Sequence, residues 1–344
     1  MKKSKITSAL TVSAMTLLCH SWSAVAGDVA AADSQLEPQA VQQHVDRARE
    51  LAGDSFMQTT VTFQCTVNDL AMAILHAPST PVPSKVFDNL YYVGLSSVAS
   101  WALQTSDGII LIDALNTTDE AINVIEPGLR ELGLDPADVK YIVVTQGHGD
   151  HYGGAQHFVE NYGTKVLMSK ADWEIANNPP SMPSRPGRPA PNWGKAPAKD
   201  MVATDGYKLT LGDTTIQLVL TPGHSPGTLS VLLPVRESGQ EHLAGLWGGA
   251  GFPRDNQSLD QYVESADKFS DISTQQGVDV IISNHPFIDD TLERMEILKQ
   301  SPEAANPFVI GKDTAAKYSM LIAECARAEV ARRQVDIAGE DSGE

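Results

Sequence analysis

The sequence predicts an α/β protein in which two sheets pack face to face with helices on the outside. Three observations carry this. Strand-like segments fall into two successive blocks, and each block finishes in amphipathic helices. Residues 141–145 and 278–283 are rich in β-branched side chains, the pattern of strands covered on both faces. A chain of 344 residues with 42% hydrophobic content also buries enough surface for one large domain or two fused halves.

Residues 27–60 are polar and rich in Ala and Gln, and read as a partly ordered lead-in. Strand patterns follow at 86–93, 98–104 and 109–113, with Ser106-Asp107-Gly108 as a tight turn. A helix capped between Asn116 and Thr118 carries Ala121, Ile122, Ile125 and Leu129, and Gly133 stops it. A strand at 141–145, a helix at 154–161 and a strand at 165–169 complete the first block. Residues 177–199 then hold seven prolines together with Arg185, Arg188, Trp193 and Lys195. Such a long surface loop is either an inert connector or a flap beside a site.

The second block has strands at 208–211, 214–220, 229–234, 242–247 and 278–283. Leu259, Tyr262, Val263 and Ala266 mark an amphipathic helix, and further helices are expected at 290–299 and 313–333. The expected organisation is an N-terminal extension at 27–84, a main domain at 85–310, and a C-terminal helix and tail at 311–344.

Lys plus Arg total 25 against 43 Asp plus Glu, for a formal charge of −18. That balance excludes a nucleic-acid binder, which needs basic residues to meet phosphates, and docking on an anionic membrane. The expected partner is a small-molecule substrate.

Lys2, Lys3 and Lys5 precede an uncharged stretch at 6–18, and Ala24-Val25-Ala26 has the pattern a signal peptidase reads. Residues 1–26 therefore read as a signal peptide, and the protein as periplasmic or secreted, with no membrane attachment after cleavage. Leu18 ahead of Cys19 is not small, which argues against a lipoprotein. The mature chain keeps Cys65 and Cys325, an even pair in an oxidising compartment. A disulfide between extension and C-terminal helix is the leading reading; two buried thiols are the alternative.

The chemistry concentrates in Thr145-Gln146-Gly147-His148-Gly149-Asp150-His151, directly after a buried strand. His148, Asp150 and His151 place two imidazoles and a carboxylate within four residues, donors that suit zinc. His224 sits in a Pro-Gly-His-Ser-Pro-Gly turn after a strand, and His285 follows another strand. Strand-end residues can converge on one sheet edge. His20, His44, His76, His157 and His242 are isolated and need no such role.

This order of motifs resembles the metallo-beta-lactamase superfamily, marked by His-x-His-x-Asp-His and two distant histidines. Within it the chain looks most like class B (subclass 3) metallo-beta-lactamases and their exported relatives, over residues 86–310. The resemblance implies a four-layer αββα sandwich with two zinc ions at one edge. Gln146, His148 and His224 would take the first; Asp150, His151 and His285 would take the second. Gln146 replaces the family's first histidine, and its neutral amide oxygen should hold the first ion less tightly. Some subclass 3 members have Gln there. Many superfamily hydrolases place a bridging Asp after a later strand, where this chain has Trp247-Gly248-Gly249-Ala250-Gly251, with Asp255 too far along. Subclass 3 also lacks a protein ligand at that point. The family's usual serine there is missing too, which bears on how a substrate carboxylate would be held.

The expected activity is an exported zinc-dependent hydrolase that opens the beta-lactam amide by attack of a zinc-bound hydroxide. Asp150 would orient the nucleophile and handle its proton. Asp113 either supports a ligand histidine from behind or caps the next turn. The alternatives are the same machinery acting on a lactone, ester or other cyclic amide, and a zinc-binding protein without turnover.

Overall fold

A computed structural model describes residues 38–66, 70–179 and 190–341. The expected signal peptide, the start of the extension, Arg185 and Arg188 lie outside the described residues.

The first sheet runs β1 (Ser84–Lys85), β2 (Leu90–Tyr92), β3 (Trp101–Thr105), β4 (Gly108–Ile112), β5 (Val139–Val143), β6 (Lys165–Ser169) and β7 (Met201–Ala203) in spatial order. It is antiparallel up to β4 and parallel from β4 to β7. The second sheet has the order β12-β11-β10-β9-β8, built from β8 (Tyr207–Leu211), β9 (Thr214–Leu220), β10 (Leu229–Glu237), β11 (Gln240–Trp247) and β12 (Val280–Ser283). Only its β11–β12 pair is parallel.

Alternation along the strands builds the layers. Ile110 and Ile112 of β4 join Val143, Leu167, Leu218, Val231, Leu233 and Ile282 in the core between the sheets. Their neighbours Ile109 and Leu111 face outward, against Ile125, Leu129, Phe158 and Trp173 of the helices on that side. On the other side Val219, Leu232 and Ile281 pack against Tyr262, Phe269, Leu321 and Ile322. Two sheets back to back with a helical layer on each make four layers, the αββα order. Each such fully buried aliphatic side chain contributes about 1.5–3 kcal/mol.

The structure corrects three local expectations. Residues 86–93 do not form one strand: the chain bends at Asp88 and Asn89, so that β1 pairs back on β2. The bend is held from the second sheet, where Asp88 N donates to Arg236 O (2.7 Å) and Arg236 N donates to Asn89 Oδ1 (2.8 Å). Strand β7 follows the Pro-rich segment and has no counterpart in the sequence reading. The lead-in is a helix over Gln39–Ala52, with Val41, Val45, Ala48 and Ala52 buried at helical spacing. That face packs with residues of the C-terminal helix, Lys312–Asp341, which is longer than expected. His44 Nδ1 meets Glu324 across the contact at 2.8 Å.

Cys65 and Cys325 are joined by a disulfide that spans 260 residues. Near it, Thr60 Oγ1 donates to Ile288 O and Thr59 Oγ1 to Asp290 Oδ2, both 2.8 Å. The bridge therefore fastens a segment that braces the loop after β12. Among the described residues, no helix is long and apolar enough to cross a membrane.

Closing so long a loop restricts the unfolded chain, by up to about 5 kcal/mol. Cys65→Ser/Cys325→Ser should therefore unfold at markedly lower urea than the oxidised protein, with loss of several kcal/mol. Coincident unfolding curves would contradict that stabilising role.

Candidate metal centre

The singled-out residues all follow strand ends on one edge. Asp113 comes directly after β4, Gln146 to His151 after β5, His224 after β9 and His285 after β12. The short helix Gly149–Tyr152 begins after His148 and presents Asp150 and His151 together.

Three imidazoles are fixed in the same way. His151 Nδ1 donates to Asp113 Oδ2 (2.8 Å), His224 Nδ1 to Gly251 O (2.8 Å) and His285 Nδ1 to Ser97 O (2.6 Å). With Nδ1 carrying the proton, each Nε2 is left as a bare lone pair, the form that binds metal. Asp113 is itself held by the Thr145 backbone N–H and hydroxyl, both at 2.8 Å. It does not cap the next turn: the Thr117 side chain accepts from Glu120 N there.

The bare nitrogens converge. Asp150 Oδ2 lies 3.5 Å from His151 Nε2 and 3.9 Å from His285 Nε2. One donor atom from each of Asp150, His151 and His285 falls within 4.8 Å of the others, so the three can hold a metal ion. Beside them, His148 Nδ1 and His224 Nε2 are 3.1 Å apart, with ring centroids at 4.9 Å. The Gln146 amide nitrogen contacts His151 Nε2. Gln146 Oε1 and Asp150 Oδ1 are buried with no hydrogen-bond partner among the described residues. Unpaired buried acceptors are costly, and a hydrated cation would supply partners for them. The donor set therefore fits a borderline divalent ion.

The electrostatics agree for His224, His285 and His148; His151 is raised above the ordinary imidazole value, because Asp150 and Asp113 outweigh its burial. Burial pushes His224 down to about 3 and His285 down to about 4, so both are neutral at neutral pH. Burial also lowers His148. Asp150 is partly buried, and desolvation would raise it, but the surrounding imidazoles hold it below the ordinary carboxylate value.

Several contributors were missed in the sequence. The Ser97 and Gly251 carbonyls are backbone atoms and leave no side-chain signal. Asp172 sits in Ser-Lys-Ala-Asp after β6, which reads as an ordinary helix start; Ser169 does cap Asp172 N at 3.1 Å. Its carboxylate, however, turns inward to Gly147, Ser225 and Gly227, and burial pushes it up to about 6. Trp193 of the Pro-rich loop stacks on His148 (6.1 Å, 23°). Phe287 lies 5.5 Å from the His285 ring, and Phe63 of the extension packs on Phe287 at 5.1 Å. The segment after β11 supplies the Gly251 carbonyl, while Asp255 caps the following helix through Ser258 N. His157, His44 and His242 pair with Glu126, Glu324 and Asp279 instead.

Residues 93–272 match the profile of the metallo-beta-lactamase superfamily. Among solved structures, the chain is similar to BJP-1, a subclass B3 metallo-beta-lactamase of Bradyrhizobium japonicum. The TM-score is 0.63 at 25% identity, covering 78% of this chain and 99% of that one. It shares its fold with the FEZ-1 metallo-beta-lactamase from Legionella gormanii, at TM-score 0.60 and 21% identity over 71% of this chain and 94% of that one. Among curated proteins it is 27% identical to the N-acyl homoserine lactonase AttM of Azorhizobium caulinodans over 171 residues, 46% of this chain and 62% of the relative. It is 32% identical to AttM of Agrobacterium fabrum over 113 residues, 32% and 41% of the two chains. The chain thus spans less than two thirds of the length of these curated relatives. The chain belongs to the metallo-beta-lactamase superfamily.

Proposed function

We propose that the protein is an exported zinc-dependent hydrolase that opens the beta-lactam amide. Gln146, His148 and His224 hold one zinc; Asp150, His151 and His285 hold the other. The observation that carries the metal reading is the convergence of Asp150 Oδ2 with His151 Nε2 and His285 Nε2, in a site that also holds two unpaired buried oxygens, Gln146 Oε1 and Asp150 Oδ1. The likeness to BJP-1 along almost all of that chain supports the beta-lactam substrate. The disulfide between Cys65 and Cys325 supports export, since such bridges persist in oxidising compartments. On this reading residues 1–26 are the signal peptide, 27–84 the extension, 85–310 the catalytic domain and 311–344 the C-terminal helix and tail.

When bound, zinc supplies Lewis acidity, lowering the pKa of a coordinated water to about 7 and polarising a carbonyl. The chain does the rest. Asp150 Oδ1, which has no other partner, takes the proton released as the nucleophile forms and can return it to the departing nitrogen. Asp113 and the Ser97 and Gly251 carbonyls fix the imidazoles, so little reorganisation is needed during the reaction. Trp193 over His148 and Phe287 beside His285 set aromatic rings against the donor cluster.

A second reading, a lactone, ester or other cyclic amide as substrate, is favoured by the lactonase relatives. The same donors serve it, because a lactone carbonyl presents the same electrophile.

Chelation should abolish hydrolysis of a chromogenic cephalosporin, and added zinc should restore it. If the two-zinc protein turns over an acyl homoserine lactone but no penicillin, cephalosporin or carbapenem, the lactone reading replaces the first. Gln146→His exchanges a neutral amide oxygen for an imidazole nitrogen and should tighten the more weakly held zinc roughly tenfold or more. Unchanged affinity would show that Gln146 is not a ligand.

A further inference from the structure

Asp172 lies outside the proposed donor set, yet it is fully buried beside it. Its carboxylate reaches two separate loops. Oδ2 accepts from Gly147 N (2.9 Å) and from Ser225 Oγ (2.7 Å), while Oδ1 accepts from Gly227 N (2.9 Å). Gly147 stands between Gln146 and His148; Ser225 directly follows His224. One side chain thus bonds both segments that carry the first zinc's proposed donors.

The surroundings are built for this approach. A Cβ on Gly227 would lie 1.9 Å from Ser169 Oγ and 2.8 Å from Asp172 Oδ1, so only glycine lets that backbone N–H come so close. At Gly147 a Cβ would press on the Asp172 backbone oxygen at 3.0 Å. Asp172 itself stands on the helix Lys170–Asn177, which is anchored by Trp173 Nε1 donating to Met201 O (2.7 Å). Ser225 is fixed a second time, its N–H donating to Thr228 Oγ1 at 3.0 Å. The carboxylate is therefore a rigid tie between two rigid supports.

We infer that Asp172 is a positioning residue that sets the spacing of His148 and His224 by binding both of their loops. Its hydrogen bonds go to Gly147, Ser225 and Gly227 and not to Asp150, His151 or His285, so its effect falls mainly on one metal position, its charge alone reaching His151 at the other. This rests on the ligand sets proposed above.

The test is a zinc titration of the full chain against a competing chelator, resolving two binding steps in wild type, Asp172→Asn and Ser225→Ala. Asparagine keeps the size of the side chain but turns one acceptor into a donor that faces an N–H or hydroxyl. It should weaken one ion by roughly 10–100-fold, as loss of a supporting hydrogen bond behind a ligand does, and change the other by clearly less. Ser225→Ala removes one donor and should weaken the same step to a smaller extent, which keeps the test open if Asp172→Asn fails to fold. Equal weakening of both steps, or two steps unchanged in a folded variant, would overturn the inference while leaving the zinc reading intact. A wild-type protein that takes up no zinc would instead end the zinc reading itself, and this inference with it.

Discussion

Three imidazoles each give one ring N–H to a fixed acceptor, and the rest of the centre depends on that. A free imidazole can carry its proton on either nitrogen, and a buried one without a partner costs free energy. Here the acceptors are Asp113 behind His151, Ser97 O behind His285 and Gly251 O behind His224. They come from after β4, from between β2 and β3, and from after β11, so both sheets must be stacked in register before the donors can meet. The site is in that sense a readout of the fold. Asp113 adopts φ 61°, a conformation that disfavours a residue with a side chain, and it is kept there by two bonds from Thr145.

The charge balance points the same way. Asp113, Asp150 and Asp172 are three carboxylates crowded at one sheet edge, and two of them are fully buried. Donors surround Asp113 and Asp172, but Asp150 faces imidazole lone pairs and keeps an oxygen with no partner. A buried charge left so is costly unless a cation completes it. Gln146 brings no charge to that edge, where a ligand carboxylate would add to the repulsion and an imidazole would bind more tightly.

Much of this was legible in the sequence because it is written in side chains of unusual density. The cluster from Gln146 to His151, and histidines at 224 and 285 placed just after strand patterns, point to one edge before the fold is known. The alternation Ile109 to Ile112 likewise announces a strand between two apolar layers. What stayed hidden has physical reasons. Backbone carbonyls such as Ser97 and Gly251 carry no residue-type signal. Asp172 looks like a helix-start residue, and only the fold shows its carboxylate turned toward two glycine-bearing loops. The helix Gln39–Ala52 is buried mainly through small side chains in a polar stretch, where spacing matters more than hydrophobicity. Strand β7 is three residues long and follows a proline-rich loop, too short for periodicity to register.

A crystal structure of the zinc-loaded protein, with anomalous data collected at the zinc edge, tests the metal centre most directly. Two peaks are expected, one bounded by Asp150, His151 and His285 and the other by His148 and His224 with Gln146 Oε1. Peaks elsewhere on the surface, or none in a protein that retains this fold, would contradict the centre described here.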